Sequence, residues 1–204
     1  MGIVIEGLNF AYDNQCVFSN FGLEIPERET LCIMGESGCG KTTLLKLLTG
    51  SLVPQSGTIR GIDGKCIGMV FQENRLCEDF TAALNVKLGC DKNWDKTQKA
   101  RIQEHLTLVG LEEAANRRVS ELSGGMKRRV AIVRAMMSDS EILIMDEPLK
   151  GLDEKTKKMV ISYIKEHAGE RTLLLVTHDR DEVEQFGGNL CVLSSMGKVS
   201  YVRK

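Results

Sequence analysis

The sequence predicts an α/β fold with a mostly parallel sheet, an antiparallel β part at the N-terminus and an inserted helical subdomain. Two observations support this fold class. Short apolar runs such as residues 142–145 and 173–176 recur along the chain, and such runs form strands that are buried on both faces. Segments with helical periodicity separate the runs, and this alternation is typical of a parallel sheet covered by helices on both faces.

The N-terminal part predicts strands followed by one helix. Phe21, Leu23 and Ile25 alternate with small or charged neighbours, as in a half-buried strand. The apolar run 30–34 predicts a fully buried strand. Leucines between residues 44 and 48 have helical spacing, and the glycine at position 50 ends that helix.

In the middle of the chain, the predicted secondary structure changes from strands to helices. Residues 54–57 predict a turn and residues 67–71 a strand, but residues from about 73 to 138 predict helices. One of these helices has Asp95 as its predicted N-cap. We therefore expect a single domain over residues 1–204, which consists of a core (1–72 and 139–204) and an inserted helical subdomain (about 73–138).

The last third returns to alternating strands and helices. Residues 142–147 predict an apolar strand that ends in two carboxylates. A capped helix over 154–168, a buried strand over 173–178 and a short helix over 181–186 follow. Two brief strands are predicted after them.

Composition narrows the classes of function. The net charge of −1 gives no reason to expect a nucleic-acid partner. The apolar runs are too short to cross a bilayer, and the N-terminus lacks the pattern of a signal peptide, so a membrane role would come through a partner chain. Seven cysteines without a C-x-x-C pair indicate reduced thiols, and three scattered histidines predict no zinc site.

A phosphate-binding loop is the most informative motif. Residues 35–42 fit G-x-x-x-x-G-K-[ST] and stand between a predicted strand and a predicted helix, which is the context that the motif requires. The glycines let backbone N–H groups turn toward phosphate oxygens. Lys41 would reach the β- and γ-phosphates, and the Thr42 hydroxyl would bind Mg²⁺. Cys39, near a helix N-terminus, is predicted to be a reactive thiol.

Two further patterns fit the same chemistry. Asp146 and Glu147 follow a buried strand, where an open parallel sheet places its ligand groups. An Asp there can hold Mg²⁺, and a Glu can deprotonate an attacking water. Ser123, with Gly124 and Gly125, precedes a helix and forms a second anion-binding helix N-terminus.

Together these motifs resemble those of ATP-binding cassette (ABC) ATPases, over essentially the whole chain. Beside the loop 35–42 and the strand 142–146, residues 122–125 resemble the family signature and residues 151–153 its D-loop. Gln72 matches the Q-loop glutamine. The resemblance also implies an adenine-stacking Tyr12 and a switch histidine, His178, which contacts the γ-phosphate.

The resemblance assigns roles to these positions. Contacts with the nucleotide are expected from Tyr12, Gly35, Glu36, Ser37, Gly38, Cys39, Gly40, Lys41, Thr42, Thr43, Ser123, Gly124 and Gly125. Catalysis is expected from Lys41, Gln72, Glu147 and His178, and Mg²⁺ binding from Thr42, Gln72 and Asp146. The sequence departs from the family pattern at Met126, where Gln is usual, at Glu36, and at Lys150, which has no evident role.

The resemblance further implies an ATP-hydrolysing subunit that powers a membrane transporter. Residues 72–76, 81–86 and 122–130 resemble the nitrate, sulfonate and taurine importer group. The expected partners are a second copy of the chain in an ATP-dependent homodimer, integral membrane permease subunits and, indirectly, a solute-binding protein. The expected location is the cytoplasmic face of the cell membrane, where the chain is peripheral through the permease.

Two alternatives stay open at this point. The same chemistry would serve an exporter or a lipoprotein-release complex with different membrane partners. A cassette protein that acts on ribosomes or DNA is also conceivable, although the second cassette, charged linker or long coiled coil of those types is absent from the sequence.

Overall fold

The computed structural model describes residues 2–13, 15–90, 96–194 and 198–202. These residues form two sheets and six α-helices. The strands are β1 (Ile3–Tyr12), β2 (Gln15–Ile25), β3 (Thr30–Met34), β4 (Ser56–Arg60), β5 (Ile67–Val70), β6 (Ile142–Asp146), β7 (Thr172–Val176), β8 (Asn189–Ser194) and β9 (Lys198–Val202). The helices are α1 (Lys41–Leu48), α2 (Ala82–Lys87), α3 (Lys96–Leu108), α4 (Gly124–Met136), α5 (Glu154–His167) and α6 (Arg180–Phe186).

The larger sheet has the strand order β5-β6-β7-β3-β8-β9 and is parallel except for β9, which runs antiparallel to β8. Every residue of β6 and β7 is buried, as the uninterrupted apolar runs predict. Alternate residues of β6 face different cores: Ile142 and Ile144 pack on one side, Leu143 and Met145 on the other. The predicted α/β fold with a mostly parallel sheet is confirmed.

The smaller sheet is antiparallel, with the order β2-β1-β4. Its apolar face packs with α1 against one side of the larger sheet, and Phe18, Phe21 and Leu44 lie fully buried in that layer. The strand β4 is a difference from the sequence prediction, which had a turn over 54–57. Four of its five residues are exposed, so an edge strand of this kind shows no apolar alternation.

A helical segment lies between β5 and β6 in the chain. Helices α2, α3 and α4 bury Val86, Leu106 and Val130 in a core that continues onto the second face of the larger sheet. The buried Asn85 side chain bonds the backbone N–H and C=O of Cys77, which fixes the loop before α2. The predicted cap Asp95 lies outside the described residues.

Candidate active site

The loop between β3 and α1 has a shape that only glycine permits at two points. Gly38 and Gly40 have φ of 82° and 106°, which L side chains rarely adopt. A Cβ at Gly40 would also come within 3.0 Å of the Phe18 ring. The loop closes over the Lys41 side chain, whose Nζ donates hydrogen bonds to the carbonyl oxygens of Gly35 (2.6 Å) and Glu36 (2.8 Å).

Sheet register brings the two carboxylates to the level of this loop. Asp146, the last residue of β6, lies opposite Val176 of β7, and Val176 lies opposite Ile33 of β3. Only one strand therefore separates Asp146 from the strand that feeds the loop, a distance of roughly 10 Å at about 4.8 Å per strand. The carboxyl ends of parallel strands converge here, as expected for a ligand site in an open sheet.

Asp146 and Glu147 sit in different electrostatic surroundings. Burial, and then the charge of Glu147, raises the pKa of Asp146, whereas the cations of Arg128 and Lys41 oppose that rise. Burial would also raise the pKa of Glu147, but the hydrogen bond and charge of Lys150, with those of His178, hold it below its ordinary value. Glu147 is thus held as a carboxylate.

The Glu147 side chain lies between two nitrogen groups. Lys150 Nζ is 2.8 Å from Oε2, and His178 Nδ1 is 3.3 Å from Oε1. The Glu147 backbone has φ of 47°, in the left-handed region, and its N–H donates to the Val176 carbonyl at 2.8 Å. That bond ties the residue after β6 to the end of β7.

One cavity of about 520 Å³ collects most of the residues that the sequence predicts. Its predicted lining residues are Tyr12, Gly35, Ser37, Gly38, Gly40, Lys41, Thr42, Thr43, Gln72, Asp146, Glu147 and His178. Gln15, Val17 and Lys150 line it as well and were not predicted to do so. The structure therefore brings the glycine-rich loop with Lys41, the oxygen-bearing side chains of Thr42, Gln72 and Asp146, and the Glu147 carboxylate into one space.

Cys39 and Glu36 belong to the loop but do not line this cavity. The Cys39 side chain is turned inward and only 6% exposed. A Cβ on Gly35 would come within 2.6 Å of its sulfur, which shows how closely it packs against the loop backbone. The burial of this thiol counts against its predicted reactivity, because the sequence position near a helix N-terminus does not tell which way the side chain points.

Ser123, Gly124 and Gly125 lie apart from the cavity. Ser123 is the N-cap of α4 and accepts a hydrogen bond from the Met126 N–H at 3.3 Å. Ser123 and Gly124 are exposed, and a Cβ on Gly124 would meet no atom within 4 Å. This helix N-terminus faces outward rather than toward the phosphate loop of its own chain.

Arg128 is a residue of the site that the sequence reasoning missed. Its buried guanidinium donates hydrogen bonds to the carbonyl oxygens of Phe71 and Gln72 in one segment. It also donates to those of Asp146 (2.7 Å), Glu147 and Pro148 (3.0 Å) in another. A signal existed, since Arg128 precedes buried Ile132 and Met136 at intervals of four and therefore lies on the apolar face of α4.

Residues 18–150 match the family model described as ABC transporter. The chain belongs to the ABC transporter family. The predictions of an ABC-type ATP hydrolase and nucleotide-binding subunit are thereby confirmed. Within the part of the chain that is described, no helix is long and apolar enough to cross a membrane.

The relatives of this ABC ATPase include proteins of several importers. It is 34% identical over 210 residues to the bicarbonate transport ATP-binding protein CmpD of Synechococcus elongatus. That alignment covers 95% of this chain and 75% of CmpD. It is 40% identical over 187 residues to the taurine import ATP-binding protein TauB of Pelagibacter ubique. That alignment covers 86% of this chain and 69% of TauB.

Solved structures agree with the fold. The dimeric structure of the bacterial ABC transporter cassette MJ0796 matches with a TM-score of 0.85 and 28% identity, and the match covers 99% of each chain. A dimeric post-hydrolysis state of that cassette, bound to ADP and Pi, matches with a TM-score of 0.84 and 27% identity. An Atm1-family ABC exporter with ATP bound matches at 24% identity, and this likeness shows the fold alone.

Proposed function

We propose that this ABC ATPase binds and hydrolyses MgATP in the 520 Å³ cavity and so powers import of a small solute through an integral membrane permease. The observation that carries the proposal is the meeting of Lys41 and Thr42 with Asp146 and Glu147 in that cavity. Phosphoryl transfer needs little covalent help from a protein, so positioning and charge supply most of the catalysis.

Each residue has a role in this proposal. Lys41 neutralises the β- and γ-phosphates, and the loop N–H groups bind their oxygens. Tyr12 stacks on the adenine from the cavity rim. Glu147 accepts a proton from the attacking water. His178, whose Nδ1 lies 3.3 Å from Glu147 Oε1, contacts the γ-phosphate.

The residues present also fit a Mg²⁺ ion. Thr42, Gln72 and Asp146 offer a hydroxyl, an amide and a carboxylate oxygen on one cavity wall, and Mg²⁺ prefers such oxygen ligands. Burial raises the pKa of Asp146, and a Mg²⁺ ion beside it would favour the ionised carboxylate that the ion needs as a ligand. When bound, Mg²⁺ neutralises charge that develops on the phosphate oxygens.

A second copy of the chain completes the site in this proposal. Ser123, Gly124 and Gly125 form a helix N-terminus at which Ser123 and Gly124 are exposed, which suits binding of a γ-phosphate held by another subunit. The dimeric state of the MJ0796 structures supports such a pairing. The interface would be isologous, with two equivalent composite sites.

The import assignment rests on the relatives, which include bicarbonate, taurine and spermidine/putrescine transport proteins. We assign the chain to the cytoplasmic face of the membrane, where the permease holds it and links it indirectly to a solute-binding protein. We also retain the division into a core of residues 1–72 and 139–204 and a helical subdomain of about 73–138. Purification of a tagged chain from its source cells in detergent should recover a permease; recovery of the chain alone would contradict this assignment.

Substitution of Glu147 tests the catalytic part. Glu147→Gln keeps the shape of the side chain but cannot accept the water's proton, and loss of a general base costs about 100- to 10,000-fold in rate. We expect this variant to bind ATP, to hydrolyse it poorly and to elute as a dimer with ATP but not with ADP. The exposed Glu113→Gln is the matched control. Rapid hydrolysis by Glu147→Gln would refute the assignment.

A further inference from the structure

Lys150 forms an ion pair with the carboxylate that the proposed function uses as a base. The Lys150 Nζ lies 2.8 Å from Glu147 Oε2. The backbone reinforces the pairing, since the Lys150 N–H donates to the Glu147 carbonyl at 3.2 Å in a tight turn. Three residues of spacing in this turn place the ammonium directly over the carboxylate.

The pair occupies the catalytic cavity itself. Lys150 lines that cavity together with Lys41, Thr42 and His178. Among the described residues, Glu147 is the only carboxylate within ion-pair distance of Lys150. The Lys150 side chain is 54% exposed, whereas that of Glu147 is 17% exposed, so the surrounding residues enclose the glutamate more than the lysine.

The ion pair with Lys150 hinders Glu147 from acting as a general base. A carboxylate whose Oε2 already accepts a charge-assisted hydrogen bond is less able to orient and deprotonate a water. Lys150 does not replace Lys41, because Lys41 already reaches into the phosphate loop. The lysine therefore acts on the base and not as the principal phosphate ligand.

Bound ATP changes the balance of charge around Lys150. The γ-phosphate enters the same cavity and carries more negative charge than one carboxylate. A lysine is a compact charge on a flexible four-carbon stem and can exchange one anionic partner for another. The exchange would free Glu147 Oε2 at the moment when the substrate arrives.

We propose that Lys150 is a positioning residue that restrains Glu147 in an ion pair and releases it when the γ-phosphate of ATP enters the cavity. This inference rests on the proposed function, in which Glu147 is the base. It also gives a role to Lys150, which departs from the family pattern. The restraint would limit hydrolysis by a cassette that has not bound ATP in a productive geometry.

Two substitutions at Lys150 measure the restraint. Lys150→Met keeps the length of the side chain without its charge. Because the pair persists in ATP complexes that have not reached a productive geometry, this variant should raise kcat about 1.5- to fivefold, the range for a partly exposed ion pair, with KM for ATP within about twofold of wild type. Lys150→Arg keeps the charge and can bind a carboxylate at two points, so its kcat should stay at or below that of wild type. A Lys150→Met protein with wild-type or lower kcat would overturn the inference.

A double-mutant cycle provides a readout independent of hydrolysis. In protein without nucleotide, the Tm losses of Glu147→Gln and Lys150→Met should sum to more than the loss of the double variant, because the two residues share one interaction. Lys150→Met combined with the distant Glu113→Gln should be additive. Additivity in both cycles would show that the ion pair does not form in solution.

The outcomes also separate the two proposals. If Glu147→Gln hydrolyses ATP rapidly, the proposed function fails whatever Lys150 does. If Glu147→Gln is inactive but Lys150→Met is no faster than wild type, the base assignment stands and only the inference about Lys150 fails.

Discussion

At the scale of single residues, Tyr12 is the surface residue that the proposed function assigns to adenine. Its ring is 42% exposed at the end of β1 and contacts the cavity. The Phe10 ring meets it edge-on, with centroids 4.9 Å apart and planes at 86°. That contact fixes the orientation of the ring, so stacking on adenine costs little ordering of the side chain.

We expect Tyr12→Ala to raise KM for ATP with little change in kcat, because loss of one base–aromatic stack costs about 1–3 kcal/mol. Tyr12→Phe should retain wild-type KM. The exposed Phe80→Ala, which is outside the cavity, is the control for loss of an aromatic ring. Steady-state kinetics over a range of ATP concentrations measures all three, and an unchanged KM for Tyr12→Ala would assign the stack to another ring.

Cys39 leads to a prediction about access. Its side chain is buried, whereas Cys16, Cys66 and Cys77 are exposed. A thiol-alkylating reagent should therefore modify those three before Cys39, since reaction requires contact with solvent. Peptide mass spectrometry at increasing times gives the order. Labelling of Cys39 first would mean that the phosphate loop opens readily in solution.

At the scale of elements, helix α4 is linked to the active site through one side chain. Arg128 joins this helix to the segment after β5 and to the segment after β6. Burial lowers the pKa of Arg128, while the charges of Asp146 and Glu147 oppose that shift. The exposed N-terminus of α4 and the cavity are therefore mechanically connected within one chain.

We expect Arg128→Met to lower both Tm and kcat, because it leaves buried carbonyl oxygens without donors at about 1–3 kcal/mol each. Arg128→Lys should recover only part of the loss, since an ammonium cannot reach all of these carbonyls. The neighbouring Lys127, which pairs with Glu78 at the surface, provides the control. Lys127→Met should lower the free energy of unfolding by about 1 kcal/mol or less. Thermal unfolding measures the difference in Tm, and an Arg128→Met protein with the Tm of wild type would contradict this prediction.

The elements also show what sequence can and cannot predict. Strands β3, β6 and β7 were predictable because they are buried on both faces and therefore apolar throughout. The strand β4 was not, because its side chains are exposed and its place depends on pairing with a distant β1. The phosphate loop followed from its motif, but Arg128 required knowledge of which carbonyls surround one face of α4.

At the scale of the whole molecule, one chain holds the cavity and, apart from it, the helix N-terminus at Ser123 that the proposed function assigns to the site of a second copy. The cavity opens at the carboxyl edge of the larger sheet, while Ser123 caps a helix outside it. In the proposed homodimer, the Ser123 of one subunit serves the Lys41 of the other. Two chains with complementary defects can test this arrangement.

We expect Ser123→Arg and Lys41→Ala to be nearly inactive separately and partly active when mixed. In a mixed dimer both defects fall on one composite site, so the other site is intact. Random pairing gives about one quarter of wild-type ATPase activity if the sites act independently. The control is each variant alone at twice its concentration in the mixture. A mixture without recovered activity, although mixed dimers form, would show that the sites cannot act separately or are not composite.

The positive φ of Glu147 creates a conflict between thermal stability and the proposed catalytic role at this position. A left-handed backbone costs most L residues about 1–2 kcal/mol, and Asn tolerates it better than Gln or Glu. Glu147→Gln and Glu147→Asn lose the same charge, so the Asn variant should melt higher by about 2–4 °C per kcal/mol of relieved strain. Calorimetry of the two variants measures this difference, and equal Tm values would mean that the angle is not strained. The backbone angle therefore favours Asn at a position where the proposed mechanism requires a carboxylate.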